Sequence, residues 1–200
     1  MPIFAHKPWA AFKEFQTHVQ RLVGQLLPTQ QHVSLIGATG DDYTAYLGFA
    51  PSPGSARPTV ALDTTHGRVQ LYFRQELHTE HEKGSGYRLT TRRYWYHPYK
   101  CDAIDAFMRW EYVDRKLEPE AHYPRHHLHI HDVVIPVDGS NTGIDLKKTH
   151  LPTGWVTIEE VIRFLIGELG VTSPCGDRWD QELCDGERRF YEEFTSKRYK

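Results

Sequence analysis

Apolar side chains recur at helical spacing near both ends of the chain. The first stretch predicts an amphipathic helix over residues 8–27. Its apolar positions, each three or four residues from another, are Trp9, Phe12, Phe15, Val19, Leu22, Val23 and Leu26. A second stretch predicts a helix over residues 157–169, which Thr157 and Glu160 open as a capping box. Residues 177–200 mix charged and aromatic positions, and we expect them to form a helical tail.

Between these helices, short runs of alternating apolar and polar residues are separated by turn-forming residues. Alternation with a period of two is typical of strands. The connections are too short for helical crossovers, which excludes a mostly parallel sheet. The pattern predicts one antiparallel sheet of about five to seven strands over residues 32–137, with helices packed on one face. We therefore expect residues 1–200 to form a single α+β domain.

Composition is that of a soluble globular protein, with 39% hydrophobic and 25% charged residues. The formal net charge of −2 means that binding to nucleic acid would have to come from a local basic patch. The three cysteines have unrelated spacing, which favours a reducing compartment. The sequence shows no apolar run of about 18 residues and no signal-peptide pattern. We expect a cytoplasmic protein that does not associate with membranes.

Histidines are concentrated in one segment, Pro124–His131, in which four residues are histidine. Apolar residues alternate with them, which predicts a strand from about Arg125 to Val137. Alternation gives this strand two different faces. One face carries Arg125, His127, His129 and His131, and the other carries His126, Leu128 and Ile130. We expect Leu128 and Ile130 to be buried, and His127 and His129 to face away from them towards solvent.

Three interpretations of the histidine face compete. It could be a solvated surface, or it could bind a divalent metal ion through His127 and His129, with a third ligand from elsewhere in the chain. It could also move protons on a phosphate, with Arg125 holding the anion. We favour this last interpretation, which nominates His127, His129 and Arg125 as catalytic, His126 and His131 as substrate-binding, and no cofactor.

A second candidate surface is the aromatic, arginine-rich strand predicted over Tyr87–His97. Guanidinium groups bind phosphate and aromatic rings stack on unpaired bases, so this composition suits RNA. It nominates Arg92, Arg93 and Tyr94 as RNA contacts. The competing interpretation is that the rings pack in the core of the sheet while the arginines lie at its margin.

The string from His127 to Val134 resembles the histidine triad of nucleotide hydrolases, in which histidines alternate with apolar residues. Asp132 is the one departure from that pattern. The resemblance implies a nucleotide phosphodiesterase with His129 as the nucleophile. This is the alternative enzymatic hypothesis.

A broader resemblance extends from about Tyr87 to Leu169. The aromatic strand, the Arg-aromatic segment Arg109–Tyr112, the histidine element Pro124–His129 and the closing amphipathic helix occur in the same order in TumE-type toxins of bacterial toxin–antitoxin pairs. The resemblance implies a prokaryotic protein that acts on RNA and is neutralised by a cognate antitoxin protein. It also implies that His126, His127 and His129 belong to the site.

Together these observations predict a toxin-like protein that acts on RNA, as a metal-independent ribonuclease that uses histidine acid–base chemistry. The expected partners are an RNA or nucleotide substrate, an antitoxin and a second copy of the chain in a homodimer. A non-catalytic module that binds nucleic acid or protein remains an alternative alongside the nucleotide phosphodiesterase.

Overall fold

The computed structural model describes residues 5–36, 43–50, 57–83, 86–101, 103–136 and 143–194. Val137, which closes the predicted histidine strand, and residues 195–200 of the predicted tail lie outside these ranges. The helices are α1 (Pro8–Leu26), α2 (Ile158–Gly167) and α3 (Trp179–Arg189), with a 3-10 turn at Gly176–Arg178 and a π-helical turn at Phe190–Phe194. In the part of the chain that is described, no helix combines the length and apolar character needed to cross a membrane.

Within the described ranges, eight antiparallel strands form the main sheet, which confirms the predicted α+β class with helices on a sheet. The spatial order is β1-β2-β4-β5-β6-β7-β10, and β3 pairs with β4; β8 and β9 form a separate two-stranded ribbon. The bounds are β1 Val33–Ile36, β2 Thr44–Phe49, β3 Thr59–Thr64, β4 Gly67–Glu82, β5 Gly86–Lys100, β6 Met108–Val113, β7 His126–Ile130, β8 Val134–Ile135, β9 Ile144–Asp145 and β10 Leu151–Pro152.

Helices α1 and α2 each bury an apolar stripe in the core on one face of the sheet, and α3 contributes Leu183 to the same core. In α2 the capping box at Thr157 forms as predicted, and the stripe that follows is buried. Strands β4 and β5 contribute large side chains to the same core, among them Phe73 and Tyr96. We call this the helix side of the sheet, and the opposite surface the open side.

A β-bulge interrupts the long pairing of β4 with β5. Glu76 is opposite Arg93, but the next residue, Leu77, is opposite Thr91, so Arg92 is the extra residue of the bulge. Beyond the bulge the alternation of β5 is therefore shifted by one residue. The alternation of side chains along the predicted strand Tyr87–His97 is therefore interrupted at Arg92.

The histidine strand is shorter than expected. It ends at Ile130, and the chain turns at His131 and Asp132, whose φ of 60° lies in the left-handed region. Aspartate adopts this region more readily than most residues. Val134 and Ile135 then pair with β9 instead of continuing β7.

Candidate functional site

The predicted alternation in β7 is present. His126 and Leu128 lie opposite Tyr112 and Trp110 of β6, whereas His127 lies opposite Glu111 on the open side. The expected burial is wrong, however. His127 and His129 are only 4% and 6% exposed, while Leu128 and Ile130 are half-buried.

Loop residues enclose these two histidines. The ring of His150, which precedes β10, lies 4.7 Å from the ring of His127 and 4.6 Å from that of His129, measured between centroids. Tyr123 stacks on His150 at 4.4 Å. Tyr123, which precedes the strand, and His150, which follows it, therefore cover the two histidines that we expected to face solvent.

His127, His129 and His150 form a compact cluster, which we call the histidine cluster. One nitrogen from each ring lies within 4.8 Å of the others. The Nδ1 atom of His127 lies 2.9 Å from the carbonyl oxygen of Pro124. Because a carbonyl only accepts, Nδ1 is the donor of this hydrogen bond. The buried Nδ1 of His129 has no hydrogen-bond partner in the ranges that the structure covers.

A carboxylate lies beside the histidine cluster. Glu111 Oε2 is 3.6 Å from His127 Nε2, while its Oε1 is 2.9 Å from His97 Nε2 and 3.6 Å from Arg109 Nη1. Burial alone would raise the pKa of Glu111, but the contacts with His127 and His97 and the charge of Arg109 hold it well below its usual range. Glu111 is therefore ionised at neutral pH.

Burial has the opposite consequence for the imidazoles. It lowers the pKa of His129 to about 4, an effect that the positive charge of Arg109 reinforces. Burial is also the main reason why the pKa of His150 is lowered. Both rings are neutral at neutral pH, so they can accept a proton but have none to donate as imidazolium.

Three predicted site residues lie away from the histidine cluster. Arg125 Nη2 is 3.7 Å from Asp114 Oδ1 and 3.4 Å from the Tyr112 hydroxyl, in a cleft on the helix side. His126 stacks on Tyr112 at 4.4 Å. The nitrogens of His131 lie 3.1 Å from Asp105 and 2.6 Å from Asp132. Arg125 and His131 lie just beyond the two ends of β7, and neither belongs to the histidine cluster.

The predicted RNA contacts on β5 are also separated from one another. Tyr94 is fully buried on the helix side and accepts a hydrogen bond from the Val156 backbone at 3.1 Å. It therefore has no surface to offer a substrate, and the core-packing interpretation holds for this residue. Arg93 lies 3.1 Å from Glu118, and Arg92 lies in the bulge.

An aromatic groove occupies the open side next to the histidine cluster. Its volume is about 480 Å³. The side chains that line it include Arg57, Tyr72, Arg74, Trp95, His97 and Tyr99. Among them Arg57 lies over the ring of Tyr99, 4.7 Å from its centroid. The described lining residues bring two guanidinium groups and no carboxylate to this groove.

One row of paired residues connects the groove to the histidine cluster. Arg74 pairs with Trp95 across β4 and β5, Trp95 pairs with Glu111 across β5 and β6, and Glu111 pairs with His127 across β6 and β7. Neighbouring strands are about 4.8 Å apart, so the backbones of Trp95 and His127 are roughly 10 Å apart. The groove and the cluster are therefore adjacent parts of one surface.

Several of these residues were not predicted from the sequence. Arg109 and Glu111 had a usable signal, because alternation within β6 puts both on one face. Trp95 and His97 had the same signal, but Tyr94 was chosen in their place. No signal in the sequence indicated His150, because it is a single histidine in a polar segment distant in sequence from β7.

Comparison with known protein families, curated proteins and solved structures gives no match.

Proposed function

We propose that this chain is a toxin-like protein that binds single-stranded RNA in the aromatic groove and presents a phosphodiester to the histidine cluster. The observation that carries this proposal is the groove itself, which combines half-buried aromatic rings with two arginines. Rings that lie on a sheet surface stack on unpaired bases, and arginine pairs with phosphate.

The charge distribution supports the proposal even though the whole chain is slightly acidic. The net charge of −2 supplies no long-range attraction for RNA. Arg57 and Arg74 instead concentrate positive charge in the groove, and Arg74 lies over the ring of Tyr46 at 4.2 Å. Because the whole chain is slightly acidic, RNA binding requires a local basic patch of this kind.

The neighbouring histidine cluster supports chemistry on the bound strand. Arg109, paired with His129 across β6 and β7, is suited to stabilise charge on a phosphate. In this proposal Arg109 takes the role that the sequence analysis predicted for Arg125. The histidine-triad alternative is less well supported, because attack by the enclosed His129 ring would require Tyr123 and His150 to move.

The test is fluorescence anisotropy with a labelled, uridine-rich single-stranded RNA at fixed salt concentration. Trp95→Ala should weaken binding by about 1–3 kcal/mol, the value of one base–aromatic stack. Arg74→Gln should weaken binding and reduce its dependence on salt. Gel analysis of the same incubations shows whether the RNA is also cleaved.

Trp9→Ala is the matched control, because Trp9 is an exposed tryptophan of α1, far in sequence from the groove and on a helix that packs on the other side of the sheet. It should leave affinity unchanged. Loss of binding in Trp9→Ala with normal binding in Trp95→Ala would move the RNA site to the helix side and reject the groove.

A further inference from the structure

We propose that His127, His129 and His150 bind one divalent transition-metal ion, with Zn²⁺ as the first candidate. The inference goes beyond RNA binding and does not depend on it. It contradicts the metal-independent chemistry expected from the sequence, and it supplies the third ligand that the sequence did not reveal.

The donor geometry is close to that of a zinc site. One nitrogen from each of the three rings already lies within 4.8 Å of the others. Zn–N bonds of about 2.0–2.1 Å in a tetrahedron place ligand nitrogens about 3.4 Å apart. The ligand nitrogens therefore need to approach one another by about 1.4 Å at most, which small side-chain rotations of the three rings would provide.

A backbone carbonyl beside the cluster makes the kind of contact that orients metal-binding histidines. Metal-ligating histidines commonly donate the second ring N–H to a backbone carbonyl or a carboxylate. His127 does so through Nδ1, 2.9 Å from the Pro124 oxygen. This hydrogen bond holds the ring by Nδ1 and leaves Nε2, on the opposite side of the ring, as the atom that would bind the metal ion.

An unsatisfied buried nitrogen provides an independent indication. His129 is 6% exposed, and its Nδ1 has no hydrogen-bond partner in the described ranges. A buried polar atom without a partner costs about 1–3 kcal/mol. A ligand bound to this nitrogen would offset that cost. A ligand that binds two further imidazoles as well would be a cation that prefers nitrogen donors.

Donor chemistry selects the class of ion. Three imidazoles suit Zn²⁺ and other late transition metals, whereas Mg²⁺ and Ca²⁺ prefer oxygen ligands. Three histidines also leave one tetrahedral position open, as in catalytic zinc sites. Glu111, 3.6 Å from His127 Nε2, is placed to accept a hydrogen bond from water in that position. A role for the ion in polarising RNA phosphate would rest on the proposed function, but metal binding would not.

The experiment measures metal binding directly. The full chain is stripped with a chelator, dialysed and titrated with Zn²⁺ by calorimetry, and with Co²⁺ by visible absorption. We expect one ion per chain and the intense d–d bands of a four-coordinate Co²⁺ site. His150→Ala should weaken Zn²⁺ binding at least about a hundredfold, since loss of outer-shell partners alone costs 10–100-fold.

His122→Ala is the control, because His122 is an exposed histidine next to Tyr123 in the same segment, and it should bind Zn²⁺ as the wild type does. Circular dichroism checks that His150→Ala keeps its fold, and His150→Gln replaces it if the alanine variant unfolds. Absence of saturable Zn²⁺ binding, or equal binding by the wild type and a folded His150 variant, would overturn the proposal. Trp95→Ala should bind Zn²⁺ normally, so failure of the RNA proposal and failure of this one are separable.

Discussion

At the scale of single residues, Glu111 decides the electrostatics of the open side. It contacts His127 and His97 and lies 3.6 Å from Arg109. A carboxylate whose pKa is depressed in the folded state contributes stability above its unfolded pKa, and this contribution is lost as the pH falls through the folded pKa. The ordinary pKa of this group is 4.5, so the contribution is complete at neutral pH.

Glu111→Gln should therefore destabilise the metal-free protein at pH 7. Hydrogen bonds to a charged group are worth about 1.5–3 kcal/mol, and we expect a loss of that size in urea unfolding with chelator present. The difference from wild type should shrink as the pH is lowered below about 4.5, because the carboxyl group of the unfolded chain then takes up a proton while that of the folded protein stays ionised.

Glu120→Gln serves as the control, since Glu120 is exposed in the loop before the histidine strand. It should change stability little at either pH. A Glu111→Gln variant as stable as wild type at pH 7, or a difference that grows in acid, would show that Glu111 is not held in its ionised form.

At the scale of elements, α2 joins the helix layer to the sheet. Ile162 is fully buried within its apolar stripe. Ile162→Asp should unfold the protein, because burying an unpaired carboxylate costs several kcal/mol against a total stability of about 5–15 kcal/mol. Thermal unfolding monitored by circular dichroism measures the effect.

Thr17→Asp introduces the same side chain at an exposed position of α1 and should shift stability by about 0.5 kcal/mol or less. An Ile162→Asp variant that melts cooperatively near the wild-type temperature would mean that α2 is not part of the core.

The elements also show where sequence patterns succeed. Helix α1 follows the predicted bounds to within a residue, and the Thr157 capping box forms, because both depend on side chains close in sequence. Strand β7 alternates as predicted for the same reason. The bulge at Arg92 and the turn at His131 were not predicted, since a register shift depends on the partner strand and leaves no mark on the pattern of one strand.

At the scale of the whole molecule, the sheet separates two kinds of surface. Helices α1, α2 and α3 belong with one side and bury it in a single core, while the open side carries the aromatic groove and, in its loop-covered part, the histidine cluster. The sequence predicted the α+β class and nominated His127 and His129 of the cluster, but it nominated neither His150 nor the residues that line the groove. His150 reaches His127 and His129 only because β10 pairs with β7, and such long-range pairing cannot be read from local pattern.

The central claim is that RNA lies on the open side of the sheet, in the aromatic groove. Photo-crosslinking of a thiouridine-containing single-stranded RNA, followed by mass spectrometry of the linked peptides, tests it most directly. We predict crosslinks to the peptides that contain Tyr72, Trp95 and Tyr99, the groove-lining rings of β4 and β5, and their loss in Trp95→Ala. Crosslinks confined to α1, α2 or α3, with none on these strands, would contradict the account.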